Sequence, residues 1–326
     1  MKKILLIVFG LITLVIIAAI IYFNVAFPKV SPAPDIKIDM SVANIERGKY
    51  LANHVAVCID CHSTRDYSFF SGPPAPGTEG RGGEAFTKEM GLPGNYYAQN
   101  ITPYYLGNWT DGEIYRAMTA GVTKDGRALF PIMPWHNYAD MTKEDIYAII
   151  AYIRTLPPIA YDAPKSEPAF PMNIINKMMP RDAVHPKSVD KSNVVEYGKY
   201  IYTASACNDC HTQKDKGKII PGKEYAGGME FNTPMGLIKT ANISPDMETG
   251  IGSWSKEQFI QRFKNYDPSI APLNKVKMGD FNSVMPWSMY AGMTEEDLGA
   301  LFEFLKSVKP VNNKVVHFAP PKKQAQ

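Results

Sequence analysis

The stretch between residues 48 and 158 is written twice in this chain, and any fold must accommodate the duplication. "GKYLANHVAVCIDCHSTRD" (48 to 66) matches "GKYIYTASACNDCHTQKD" (198 to 215), and "NITP" (100 to 103) matches "NISP" (242 to 245). Trp109 matches Trp254, and "IMPWHNYADMTKEDIYAIIAYIRTLPP" (132 to 158) matches "VMPWSMYAGMTEEDLGALFEFLKSVKP" (284 to 310). Order is kept and spacing nearly so, as two copies of one unit require. A length of 326 residues agrees with about two domains. Proline-rich joints frame the copies, "FPKVSPAP" at 27 to 34 and "PPIAYDAPKSEPAFP" at 157 to 171, and "APPKKQAQ" reads as a disordered end. The expected division is an anchor at 1–27, a linker at 28–44, a first domain at 45–158, a linker at 159–192, a second domain at 193–310 and a tail at 311–326.

Each copy opens and closes with a helix. Asn193 followed by Glu196 is a start signal, and Asn44 can cap the first copy. Thr142 with Asp145, and Thr294 with Asp297, start the closing helices. Their apolar positions, Ile146, Ile149, Ile150 and Ile153, then Leu298, Leu301, Phe302 and Leu305, keep helical periodicity. Pro157 and Pro310 stop them. One more helix follows each tryptophan, roughly 110 to 120 and 255 to 265. Gly48 and Gly198 lack side chains, which lets the opening and closing helices cross closely near Tyr152 and Phe304. No period-two alternation marks a substantial sheet, so each copy reads as a small all-α domain.

All four cysteines lie in two pentapeptides, "CIDCH" at 58 to 62 and "CNDCH" at 207 to 211. Three chemistries compete. A redox dithiol wants C-x-x-C near a βαβ pattern, which is not visible here. Structural zinc wants four ligands at closed spacing, and adjacent Cys61 and His62 do not point easily at one tetrahedral centre. Covalent c-type haem attachment has C-x-x-C-H as its sequence sign. One helical turn presents both thiols to the two vinyl groups on a haem edge, and the next side chain, His62 or His211, reaches the iron. The expectation is two covalently bound haem c groups, each supplying much of the interior of a small domain with a limited core.

An electron-carrying haem has both axial positions filled, and Met opposite His raises the potential. Six of the 16 methionines form three pairs between the copies. Met141 and Met293 stand just before the capping threonines and can pack on Ile146 and Leu298 as hydrophobic staples. Met90 and Met235 lie in loops nearer the pentapeptides. Met133 and Met285 each precede Pro-Trp, and proline fixes the local backbone. They are the expected sixth ligands, while Met118, aligned with Phe263, reads as core. Asn100, Trp109, Asn242 and Trp254 recur in both copies and are expected to face haem, with turn-forming Asn and core Trp as the alternative. His54, His136, His185 and His317 have no counterpart histidines and read as surface residues.

The order C-x-x-C-H, Asn-Ile-Thr/Ser-Pro, Trp, Met-Pro, then "YxxMTxEDxxAxxxYxxxLPP" resembles class I c-type cytochromes. The closest resemblance is to cytochrome subunits of membrane-bound bacterial dehydrogenases, and it covers about 230 residues. It implies axial ligation by His62 with Met133 and by His211 with Met285, and thioethers at Cys58, Cys61, Cys207 and Cys210.

The first 27 residues carry Lys2 and Lys3, then no charge from Ile4 to Phe27. Residues 4 to 23 can span a bilayer. A cleaved signal has a shorter apolar core of about 7–15 residues and a small-x-small site, and "NVA" at 24 to 26 is a poor one. A retained anchor in the bacterial inner membrane is expected, with the haem domains on the periplasmic side. Charges of 35 basic and 32 acidic residues form no stripe for nucleic acid, and Lys214, Lys216 and Lys218 read as a solvated loop. The expected function is single-electron transfer within a membrane-bound redox complex, its partner a dehydrogenase, a quinol-oxidising complex or a terminal oxidase. The competing function is a haem enzyme such as a dihaem peroxidase, which needs an open iron position. Met-Pro in both copies argues for transfer.

Overall fold

The structure, a computed structural model, describes residues 1–270 and 272–321. Lys2–Ala26 is a helix with no buried residue. Among the described residues it is the one helix long and apolar enough to cross a membrane.

Two helix pairs form the body. The opening helix Val42–Tyr50 packs on the closing helix Lys143–Thr155, and Val194–Ala204 packs on Glu295–Ser307. A Cβ on Gly48 would stand 1.7 Å from the Ala148 carbonyl oxygen, and one on Gly198 would stand 1.9 Å from that of Ala300. Only glycine lets these backbones approach so closely. Thr142 and Thr294 cap the closing helices by accepting from Asp145 N and Asp297 N at 3.2 and 3.1 Å. Asn193 caps its helix by accepting from Glu196 N. Asn44 does not cap the first copy. Ser41 occupies the cap position, and Asn44 Nδ2 donates to the Asp39 carbonyl at 2.7 Å. The helices after the tryptophans run Asp111–Ala120 and Lys256–Lys264, each behind a reciprocal capping box, Thr110 with Glu113 and Ser255 with Gln258. Met141 and Met293 are fully buried before the closing helices.

The first copy has one residue more between its glycine and first cysteine than the second. The surplus is absorbed as a π-turn over Leu51–Val55, a single widened turn that shifts register without breaking the helix.

The all-α expectation needs correcting. Eight short strands form three small antiparallel sheets among the described residues. Gly94–Tyr97 lies between Ala85–Phe86 and Glu167–Pro168. Gly236–Lys239 lies between Glu230–Thr233 and Phe318–Ala319. Lys214–Asp215 pairs with Lys218–Ile219. Met90 ends a 3₁₀ turn in the first hairpin connection, and Met235 sits at the tip of the second. The segments read as linker and tail supply strands. The chain beyond each closing helix returns across its own half, so neither 159–168 nor 311–319 hangs free. Of the tail, residues 322–326 lie outside the described residues. The 28–44 stretch also packs, with Ile38 buried and its N–H donating to Asp111 Oδ2 at 3.2 Å.

The halves exchange matched contacts. Tyr50 donates to Asp297 at 2.5 Å and accepts from Thr294 N, while Tyr200 donates to Asp145 at 2.6 Å and accepts from Thr142 N. Each aspartate also binds its own half, Asp145 through Arg47 and Asp297 through Tyr197. Burial and the neighbouring carboxylate push the Tyr50 phenol well above its usual range.

Candidate cofactor-attachment site

Each pentapeptide follows a residue in left-handed backbone, Val57 at φ 46° and Ala206 at φ 51°. For a β-branched side chain this is a rare conformation. It turns the chain sharply from the opening helix into the short helices Cys58–Cys61 and Cys207–His211. The N–H of Asp60 and of Asp209 then bonds back to the Val57 and Ala206 carbonyls at 3.1 and 3.0 Å. One tight turn thus carries both thiols and the histidine.

The histidines are held alike. Nδ1 of His62 bonds the Gln99 carbonyl at 2.6 Å, and Nδ1 of His211 bonds the Ala241 carbonyl at 2.7 Å. A carbonyl only accepts, so Nδ1 carries the proton and Nε2 presents its lone pair. Burial lowers both imidazole pKa values and keeps the rings neutral. Gly82 and Gly227 make this approach possible. Their N–H groups donate to the His62 and His211 carbonyls, their φ angles are positive, and a Cβ on Gly227 would lie 2.2 Å from Ala241 O. A paired glycine, Gly82-Gly83 and Gly227-Gly228, marks both copies, but unequal loop lengths hide the correspondence.

All four cysteines are free thiols that keep some accessible surface while lying deep in the fold. Burial raises the thiols of Cys58, Cys207 and Cys210 to about 12 and that of Cys61 higher still. A redox dithiol needs a depressed pKa, and burial acts in the opposite direction here. No three His, Cys, Asp or Glu side chains among the described residues gather as a metal site would require, which disfavours zinc. Half-buried thiols on one turn, beside a neutral histidine whose Nδ1 is engaged and whose Nε2 is left for a ligand, fit covalent haem c.

Met133 and Met285 lie in identical turns. Trp135 N donates to the Met133 carbonyl at 2.7 Å and Trp287 N to that of Met285 at 2.8 Å. The prolines between them, at φ −80°, ψ 49° and φ −78°, ψ 67°, form inverse γ-turns. Four residues on, Tyr138 donates to the Ala56 carbonyl and Tyr290 to that of Ser205, each at 2.8 Å. These carbonyls immediately precede the left-handed residues, so the tyrosines tie each Met-Pro turn to its thiol turn. Both methionines are half-buried against the core. Met118 is buried in it, as expected.

The two asparagines are spent on the protein. Nδ2 of Asn100 donates to Ile159 O and Tyr161 O at 2.8 and 2.9 Å, and that of Asn242 donates to Thr249 Oγ1 and Val311 O at 3.0 and 2.8 Å. The N–H groups of both amides are taken by the protein. They anchor the peptides whose carbonyls hold the histidines. Trp109 and Trp254 stand just before the caps of their helices, packed against the core. His54, His136 and His185 are half-buried and bonded rather than free at the surface, to Met289 O, Asp209 and Met141 O respectively.

Contacts between the halves reach the site. Asp209 receives His136 Nε2 at 3.0 Å, Lys214 Nζ at 2.8 Å and Asn137 Nδ2 at 2.7 Å. Burial alone pushes its carboxyl up, but these partners more than offset that and hold it low. In the first pentapeptide, burial raises Asp60 to about 6 despite Arg65. Ser71, from the first half, is fully buried, donates to the Met285 carbonyl and accepts from Trp287 N, both at 2.8 Å. It has no counterpart in the second copy, so the repeat gave no signal of it.

These features are what covalent haem c attachment would need at each pentapeptide. The cytochrome c family model matches residues 195–309, and this region is a cytochrome c domain. The chain as a whole is similar to cytochrome c subunits of dehydrogenases. It is 30% identical over 278 residues to the fructose dehydrogenase cytochrome subunit of Gluconobacter japonicus, covering 81% of this chain and 52% of that protein. It is 27% identical over 293 residues to the cytochrome c subunit of alcohol dehydrogenase (quinone) from Gluconacetobacter polyoxogenes, covering 84% and 58%. It is 27% identical over 202 residues to a diheme cytochrome c-type protein of Cereibacter sphaeroides, covering 58% and 63%. The chain spans a little over half the length of the first two relatives.

Proposed function

We propose that this chain is a membrane-anchored dihaem cytochrome c that transfers single electrons in a membrane-bound redox complex, with a dehydrogenase as its partner. One observation carries the reading. The same attachment geometry is built twice, from a left-handed residue, a thiol turn, a histidine whose Nδ1 bonds a backbone carbonyl, and a tyrosine linking that turn to Met-Pro-Trp. Cys58 and Cys61, then Cys207 and Cys210, would form thioethers. His62 with Met133 and His211 with Met285 would hold the two irons. Bound haem supplies a one-electron iron couple, and the chain's own residues fix the histidine tautomer and keep the ring neutral. Trp109 and Trp254 would flank the two groups.

The two haem-binding units are 45–158 and 193–310, each extended by the strand that follows its closing helix. Lys2–Ala26 would cross the bacterial inner membrane and leave both units on the periplasmic side. The dehydrogenase partner is supported by the named complexes of the relatives, and the dihaem state by the duplicated site.

A pyridine haemochrome assay on denatured, acid-acetone-extracted protein tests the count. Two haem c groups per polypeptide are expected. One group would overturn the dihaem reading, and none would end the cytochrome reading.

A further inference from the structure

The segment joining the halves is apolar on the wrong side for a protein in water. Phe170, Ile174, Ile175 and Met178 are 80%, 42%, 36% and 48% exposed, while Asn176 among them is 4% exposed. Asn176 Nδ2 donates inward to the Ala128 carbonyl at 3.1 Å. The run comprises the helical turn Met172–Ile175 and the 3₁₀ turn Asn176–Met178. Residues 174, 175 and 178 share one side at helical spacing. A surface helix in water buries its apolar stripe and turns its polar side chains out. Here Ile174, Ile175 and Met178 face out while Asn176 faces in, and an exposed cluster of large apolar side chains marks an interaction surface.

The neighbouring element identifies what covers it. Lys177, in the same run, donates from Nζ to Asn24 Oδ1 at 2.7 Å. Asn24 lies in the last turn of the apolar helix Lys2–Ala26. Just past that helix, Ser31 donates through N and Oγ to Asp182, each at 2.8 Å. The joint is thus held beside the end of the membrane-crossing segment, at the depth where hydrocarbon gives way to headgroups. Lys177 places a cation there, where it complements anionic headgroups.

We propose that residues 170–178 form a monotopic foot that sets Phe170, Ile174, Ile175 and Met178 into the outer surface of the lipid bilayer. With the helix as one attachment and the foot as a second, the body cannot swivel freely on its tether, and the haem-binding units keep one orientation toward membrane partners. The proposal rests on Lys2–Ala26 crossing the membrane.

The test uses the full holo chain reconstituted in phosphatidylethanolamine–phosphatidylglycerol vesicles. The native cysteines are thioethers in this form, so Ile174→Cys, and Met247→Cys and Val316→Cys as controls, each offer one thiol for a spin label. Alkaline carbonate extraction comes first. Release of the chain overturns the membrane-crossing reading, and the foot with it. For retained chain, the expected result at position 174 is loss of broadening by an aqueous nickel chelate with relaxation by oxygen preserved, while positions 247 and 316 stay open to the chelate. Retention with position 174 open to the chelate overturns the foot alone. Shielding of position 174 from both reagents would mean that protein, not lipid, covers the patch, and overturns it as well.

Discussion

Ser71 holds the Met285 turn from the opposite half, taking both the carbonyl before Pro286 and the N–H after it. Ser71→Ala removes both bonds in a buried setting, with an expected loss of about 1–3 kcal/mol in thermal unfolding. The same substitution should perturb the sulfur-to-iron charge-transfer band of one haem only. A purely structural role would lower stability without touching that band. Met133 permits a sharper comparison. Met133→His should lower the potential of one haem, because imidazole donates more electron density to iron than a thioether does. Met141→Leu should leave both potentials near their starting values, because the Met141 side chain is fully buried in the core before the Thr142 cap. Redox titration with optical detection reads both. If Met141→Leu abolishes the band and Met133→His does not, the ligand has been assigned to the wrong methionine.

At the scale of elements, the helix crossings are the most constrained feature. A side chain at position 198 would enter the backbone of the closing helix, with Phe304 Cβ a further 2.9 Å contact. Gly198→Val should cost about 1–3 kcal/mol through overpacking, read as a lower unfolding midpoint. Unchanged unfolding would mean the helices do not cross there. These crossings were legible because glycine, the capping threonines and the 3.6-residue period all lie in repeated text. The strands were not. Runs of two to four residues are too short to show alternation, which takes about four to eight residues to register. Each is held as a strand by a partner distant in sequence, Glu167–Pro168 on Gly94–Tyr97 and Phe318–Ala319 on Gly236–Lys239. The π-turn at Leu51–Val55 follows the same logic, since an extra residue announces a bulge but not which turn absorbs it.

For the whole molecule, the contacts between halves predict a single unfolding event. Tyr50 and Tyr200 each donate to a carboxylate of the other half, bonds worth about 1.5–3 kcal/mol each, and His136 with Asp209 and Ser71 with the Met285 turn add to them. Differential scanning calorimetry of the holo protein should give one transition whose calorimetric and van't Hoff enthalpies agree. Two resolved transitions would show that the halves unfold independently. In the double variant Tyr50→Phe, Tyr200→Phe, the transition should broaden or split, with haem absorbance and helical signal no longer changing together.

The sequence by itself determined the duplication, the thiol turns with their histidines, the Met-Pro turns and the helices that frame them. Each depends on residues close along the chain, where spacing and backbone preference act directly. Tertiary structure alone decided which carbonyl holds each histidine, why Gly82 and Gly227 must be glycine, and which groups the amides of Asn100 and Asn242 bind. It also decided that the joint between the halves shows its isoleucines outward, and that each half helps to hold the other's functional loops. Those features rest on groups brought together from far apart in the chain, by packing that leaves no local periodicity to read.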